Sequence, residues 1–194
     1  MVPAEKMELA SRGTVEIIQR SELELVLREK QRPRAYWGFE PSGMMHIGQG
    51  LVCGNKIRDL IDAGFHFTIF LADYHSMINN KYGGDLGKIR KTGEYFEHCF
   101  TSLGIRRDQV EYVWASELAD KKEYWERVLR IARTVSTQRV LRAIPIMGRD
   151  MNSKETDAAS IFYPCMQAAD IFEMKLDVAC AGIVQRKAHT MARE

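Results

Sequence analysis

The chain has 194 residues, 45% of them hydrophobic, with Lys+Arg 28 against Asp+Glu 26 for a net charge of +2. This length and apolar content suit one domain with a sizeable core and exclude a disordered tail; the near balance of charge excludes nucleic-acid binding by bulk electrostatics, leaving only local patches. The opening stretch carries Glu5, Lys6, Glu8 and Arg12, which excludes the apolar core of a signal peptide, and the longest apolar run, near Phe65 to Ala72, is too short to span a bilayer.

Along the chain, Val15 to Lys30 mixes Val15, Ile17, Ile18, Leu23, Leu25, Val26 and Leu27 with charges, which predicts two short amphipathic helices with Ser21 as the N-cap between them. Residues 1–34 thus read as a leading helical arm. Arg32-Pro33-Arg34 breaks the pattern, and a first strand starts at Ala35. Pro41, Ser42 and Gly43 end it, and a helix follows from about Gly48 to Ala63, closed by Gly64. Phe67 to Ala72 reads as a second buried strand, Asn79 to Asp85 as a polar loop, Leu86 to Leu103 as a long helix closed by Gly104, and Val110 to Trp114 as a third strand.

From Lys121 to Ile146 the pattern is helical and basic, followed by a loop from Gly148 to Ser153. A helix from about Glu155 to Lys175, a fourth strand over Asp177 to Ala181 and a last helix from near Gln185 complete the reading. That helix still runs at Glu194, which reads as a C-terminal truncation. Alternating strand and helix imply an α/β, Rossmann-like parallel sheet with helices on both faces over residues 35–194, with 115–155 as a helical insertion. Ligands of such sheets bind outside the carboxyl ends of the strands, where His46 and Asp73 fall.

The cysteines Cys53, Cys99, Cys165 and Cys180 are far apart and form no C-x-x-C pair, so buried thiols in a reducing, cytoplasmic compartment are expected. The turn from Ala35 to Gly50 runs from an apolar strand through glycines into a helix whose N-terminal amides, with His46, suit a phosphate. It matches neither the P-loop nor the dinucleotide fingerprint, and an ordinary structural turn satisfies the same spacing. Tyr163, Gln167 and Asp170 stand at i, i+4 and i+7, one stripe of an otherwise apolar helix. Buried unpaired polar groups cost on the order of 1–3 kcal/mol each, so the stripe either joins a core network or lines a polar ligand's pocket.

Gln185-Arg186-Lys187 follows the fourth strand through Gly182, which suits either a ligand contact or a solvated helix start. Arg127, Arg130, Arg133, Arg139 and Arg142 form either a solvated face or a phosphate-tracking stripe without interleaved aromatics. His66, His98 and His189 lack partners at metal-ligand spacing and read as surface or packing residues; no protein-ligated metal is expected, though magnesium can accompany a nucleotide.

Taken together, Tyr36-Trp-Gly-Phe-Glu-Pro-Ser-Gly-Met-Met-His-Ile-Gly48, Leu71-Ala-Asp-Tyr-His75, Tyr163-Pro-x-x-Gln167-x-x-Asp170 and Gly182-x-x-Gln185-Arg-Lys187 resemble the tyrosyl-tRNA synthetases. The likeness is to the archaeal and eukaryotic branch of this class I aminoacyl-tRNA synthetase family and runs from about Val15 to the end of the chain. Tryptophanyl-tRNA synthetases share the fold and are the nearest alternative. The resemblance implies that Tyr36 and Asp170 bond the phenolic hydroxyl of tyrosine, that Tyr163, Gln167 and Gln185 hold its ammonium group, and that Glu40 and His75 complete the pocket.

It likewise implies ATP at Gly38, His46, Gly48 and Gln49, with His46 and Gln49 in catalytic positions and Mg2+ arriving with the ATP. Tyrosine would be activated to tyrosyl-adenylate and passed to tRNA(Tyr) by a cytoplasmic homodimer. Two residues depart from the family pattern: Gln49 replaces the usual second histidine, and Val184 an acidic residue. The family's K-M-S-K-S loop and anticodon-binding domain would follow Glu194. The expectation is therefore an N-terminal catalytic portion with impaired turnover; a non-catalytic tyrosine- or nucleotide-binding paralogue is the alternative.

Overall fold

The computed structural model describes residues 2–148 and 157–193. Its first helix, α1 (Pro3–Ser11), opens with Pro at its first position, where no intrahelical N–H is needed, and the Glu5 carboxylate accepts from the Val2 N–H at 3.2 Å. The second, α2 (Arg20–Glu29), is capped by Gln19 rather than Ser21. Between Val15 and Lys30 there is thus one helix instead of two, because Thr14 to Gln19 form a bend and turn whose Val15 is exposed. Met7 and Ala10 of α1 and Leu23 and Leu27 of α2 bury in the same core as Phe67 and Ile69.

The sheet contains β1 (Arg34–Phe39), β2 (His66–Leu71), β3 (Val110–Trp114) and β4 (Val178–Cys180), each boundary within two residues of the sequence reading. Every pairing is parallel, in the order β3-β2-β1-β4, and Tyr36 lies opposite Thr68 on one side and Ala179 on the other. The crossovers run outward from β1 to β3 and then return past β1 to β4. The carboxyl ends of β1 and β4 therefore flank the point at which the strand order reverses, where a doubly wound sheet opens a crevice.

Helices α3 (Ile47–Asp62), α4 (Asp73–Ile78) and α5 (Leu86–Ser102) follow the first two strands, with a tight turn at Lys81–Gly84 inside the expected polar loop. After β3 come α6 (Ala115–Ala119), α7 (Lys122–Thr134), α8 (Thr137–Ala143), α9 (Ala158–Glu173) and, beyond β4, α10 (Arg186–Arg193). The sequence reading left α4 and α6 out: each is barely more than a turn, too short for a helical period to register. Of the expected Gly148–Ser153 loop only Gly148 is described, and residues 155 and 156 of the expected helix start, with Glu194 of the last helix, also lie outside the described residues.

Both faces of the sheet are covered. Ala35 and Phe39 of β1 with Phe67, Ile69 and Leu71 of β2 pack against Ile57 and Leu60 of α3 and Phe96 and Phe100 of α5. On the other face Tyr36 and Phe70 meet Tyr124 and Val128 of α7 and Cys165, Met166 and Ala169 of α9. This alternation is the two-residue period of a strand buried on both sides. At the end of β2, buried Asp73 accepts from the Tyr74 and Ser116 N–H groups at 2.9 Å each and pairs with Arg90 Nε at 3.2 Å, which ties the ends of β2 and β3 to α5. Asp73 is thus a strut of the scaffold, although it stands at a strand's carboxyl end. Two of the cysteines, Cys53 and Cys165, are buried as expected; Cys99 and Cys180 are only partly covered.

Candidate active site at the carboxyl ends of β1 and β4

The polar stripe of α9 joins a buried network. Tyr163 and Asp170 are 4% and 1% exposed, so their polar atoms cannot turn to water. Asp170 Oδ1 accepts from the Tyr124 hydroxyl at 2.8 Å, and Oδ2 stands 3.2 Å from His75 Nε2 without hydrogen-bond alignment. Asp170 Oδ2, both ring nitrogens of His75 and Gln167 Oε1 are consequently buried without a hydrogen-bond partner among the described residues. Unsatisfied groups of this kind are rare in protein interiors, and several in one place are what a polar ligand would satisfy.

Around them the network is tight. Tyr163 donates its hydroxyl to Glu40 just beyond β1, and Asn79 Nδ2 donates to Glu40 Oε2 at 3.1 Å and to the Met147 carbonyl at 2.9 Å. The His75 ring meets Tyr163 edge-on, with centroids 4.9 Å apart at 89°. Gln167 Nε2 donates to Gln185 Oε1 at 3.1 Å, and Gln185 Nε2 to the Ile146 carbonyl at 2.8 Å. Tyr36 projects from β1 with its hydroxyl 3.4 Å from His189 Nε2.

Burial moves the titrations. The Tyr36 hydroxyl rises through burial and then through the Asp170 charge, and Tyr124 and Tyr163 rise for the same first reason, followed by Asp170 and Glu40 respectively. All three phenols stay protonated and act as neutral donors. For His75, burial opposes the charge, but Asp170, Glu40 and Asp73 outweigh it and the net direction is upward. His189 lacks such neighbours, and burial takes it down to about 4.

The glycine turn is different. His46 caps α3, its Nδ1 accepting from the Gly48 N–H at 3.1 Å. A Cβ at position 48 would stand 3.1 Å from that same nitrogen, so glycine keeps the cap intact. One of the amides that the sequence reading aimed at a phosphate is therefore held by the imidazole, and an anion there would exchange with it. His46 is exposed, while Gln49 and Gly48 are half-buried on the first turn of α3. Gly38 is the exposed position of β1; a Cβ there would come no nearer than 3.5 Å to Phe70, so its freedom faces outward.

Hydrogen bonds or ion pairs thus join Glu40 to Tyr163, His75 to Asp170, Gln167 to Gln185 and Tyr36 to His189, while His46 and Gln49 stand at the start of α3. Sequence reasoning missed Tyr124, Asn79 and the placement of His189. Tyr124 was legible only as the apolar face of an amphipathic helix, with Val128 four residues on. Among the arginines, Arg130, Arg133 and Arg142 are exposed and Arg127 Nε lies 3.7 Å from Glu173. An opening of about 1510 Å³ lies on the Trp37 side of β1, and Gly48, Gln49 and His189 are among the residues that line it. It runs from Ile17 and Val52 to Ala179 and Gly182, along the edge of β4, which no fifth strand covers among the described residues.

A doubly wound sheet with buried polar groups at its switch point defines a small-molecule-binding α/β domain. Residues 28–194 match the family model described as "tRNA synthetases class I (W and Y)", and the chain belongs to that family. It is 41% identical over 188 residues to a tyrosine–tRNA ligase of Picrophilus torridus, covering 97% of this chain and 56% of that one. To tyrosine–tRNA ligase 1, cytoplasmic, of Arabidopsis thaliana it is 45% identical over 181 residues, covering 92% of this chain and 47% of the other.

A tyrosyl-tRNA synthetase structure from Pyrococcus horikoshii complexed with L-tyrosine superposes with a TM-score of 0.92 at 39% identity, covering 99% of this chain and 53% of that one. The chain spans about half the length of the curated relatives it matches. A tryptophanyl-tRNA synthetase of Plasmodium falciparum, at 16% identity and a TM-score of 0.75, shares the fold alone.

Proposed function

We propose that this chain binds tyrosine between β1, α9 and α10 and activates it with ATP, as the amino-acid-activating part of a tyrosine–tRNA ligase. The observation that carries the reading is the buried Asp170 Oδ2, 3.2 Å from His75 Nε2 but without an aligned hydrogen bond, near enough to Tyr36 for its charge to raise that phenol's titration. A phenol donates to that oxygen; phenylalanine leaves it unpaired, which disfavours the wrong substrate. Gln167 Oε1, also unpartnered, suits the ammonium group, with Tyr163 and Gln185 beside it.

In the first step a tyrosine carboxylate oxygen attacks the α-phosphorus of ATP, and pyrophosphate leaves. In the second a terminal ribose hydroxyl of tRNA(Tyr) attacks the acyl carbon, and AMP leaves. No protein nucleophile takes part. The residues orient the reactants and stabilise charge: His46, Gln49 and the first amides of α3 at the phosphates, and exposed Gly38 where the adenylate passes close to the strand. Magnesium enters this reading with ATP. We place the protein in the cytoplasm as a homodimer; exposed Trp125, Leu129, Ile161 and Phe162 on α7 and α9 support a subunit contact there.

Titration calorimetry of this chain with L-tyrosine, L-phenylalanine and L-tryptophan tests the pocket. Tyrosine binding with phenylalanine at least about tenfold weaker is expected from one lost buried hydrogen bond. Tryptophan preferred over tyrosine would move the chain to the sister specificity, and no binding by folded protein would reject the proposal. Tyrosine-dependent pyrophosphate exchange separates an activating enzyme from a binding module.

A further inference from the structure

His189 lies on α10, is 9% exposed, and brings Nε2 to 3.4 Å from the Tyr36 hydroxyl, with the two rings 6.3 Å apart. Nothing in the activation chemistry uses it. Its importance comes from counting protons. A ligand phenol has one proton and two lone pairs, an ionised Asp170 accepts only, and Tyr36 has a single proton to give.

A phenol seated between the two donates to Asp170 Oδ2 and has to accept from Tyr36. Tyr36 can point its proton at the ligand only if its other neighbour does not take it. With the proton on Nδ1, the bare Nε2 of His189 would accept from Tyr36 and turn its lone pairs toward a phenol that has no second proton. With the proton on Nε2, the imidazole donates to the Tyr36 oxygen and the Tyr36 proton is released to the ligand.

Resting on the tyrosine reading above, we infer that His189 is a positioning residue for tyrosine recognition: its neutral ring donates from Nε2 to the Tyr36 oxygen and so sets the direction of the Tyr36 proton. Burial keeps the ring neutral by lowering its titration to about 4. The tautomer then becomes a determinant of specificity.

The test is calorimetry of His189→Leu, His189→Gln, Tyr36→Phe and the Tyr36→Phe/His189→Leu double variant with L-tyrosine and L-phenylalanine, with thermal melts as the folding control. His189→Leu is expected to weaken tyrosine about tenfold and leave phenylalanine unchanged, and His189→Gln, whose amide N–H can donate, to restore tyrosine to within about threefold. In the Tyr36→Phe background the His189→Leu effect should vanish. Equal weakening of both amino acids, no change for tyrosine, or no rescue by glutamine would each overturn the inference.

Independently of any ligand, nitrogen-15 NMR of the free protein reads the tautomer. A proton on Nε2 supports the inference and a proton on Nδ1 overturns it. Absence of tyrosine binding by the wild type counts against the pocket itself, and the NMR result still decides the role of His189.

Discussion

The two halves of the site, both contained in the stretch from Tyr36 to Gln49, are built differently. At its start, buried Tyr36 bonds to His189 of α10, and Glu40 accepts from Tyr163 of α9 and from Asn79 at the end of α4. At its end, His46 is exposed, and its hydrogen bond is local, to the amide of Gly48 two residues on. The proposed amino-acid side is thus preorganised by packing, and the proposed phosphate side is held by a single helix cap. A small apolar-bodied substrate needs a shaped, dry pocket, whereas charge that develops only during reaction needs donors that can change partner.

The largest expected effect is in the buried half. Asp170→Ala strands the Tyr124 hydroxyl and removes the carboxylate beside His75; we expect a loss of about 3 kcal/mol in urea unfolding and tyrosine binding weakened by at least about a hundredfold. If stability fell by less than half a unit of that scale, the network would not be the rigid element described. Tyr163→Phe removes one donor from Glu40 but leaves Asn79 in place, so about 1 kcal/mol is expected by the same measurement, with weaker tyrosine binding.

Buried histidines sharpen the contrast through pH. His189 titrates at about 4 in the folded chain against the ordinary 6.5, so the unfolded state binds a proton that the folded state excludes, and stability falls as pH drops from 6.5 toward 4. His189→Gln should flatten that acid limb in melting temperature against pH. His75 has the opposite sign: burial opposes its charge, but Asp170, Glu40 and Asp73 raise it on balance, so its contribution is present at acid pH and fades as pH rises through its folded value. His75→Gln should therefore lose stability on the acid side, and a profile that lost it only on the alkaline side would contradict this.

The smallest effect on folding belongs to the exposed half. His46→Ala removes the α3 cap and should cost about 0.5–1 kcal/mol, with tyrosine affinity within about twofold of wild type. Pyrophosphate exchange should nevertheless slow by about a hundredfold, the scale of one lost donor to developing charge. A large drop in tyrosine affinity would show that the two halves are coupled.

The strands and long helices were legible because each is a run of apolar residues with its own period and a stop signal just beyond it: Pro41 after β1, Gly64 after α3, Gly104 after α5. The stripe at 163, 167 and 170 was legible from helical spacing alone. Tyr124 was not, since a buried tyrosine on an amphipathic helix looks the same whether it packs or caps a carboxylate. Asn79 was hidden at the end of a helix of six residues, and Asp73 sat where a ligand contact was expected but serves three bonds of the scaffold.

By itself the sequence determined the alternation that makes a parallel sheet, the chemical types gathered in its motifs, and the likeness that names their family. Only the tertiary structure decided which of those side chains share a pocket. Hydrogen bonds reach about 3 Å and the partners here are up to 153 residues apart, as Tyr36 and His189 are, so their meeting depends on the order β3-β2-β1-β4 and on the two faces it creates.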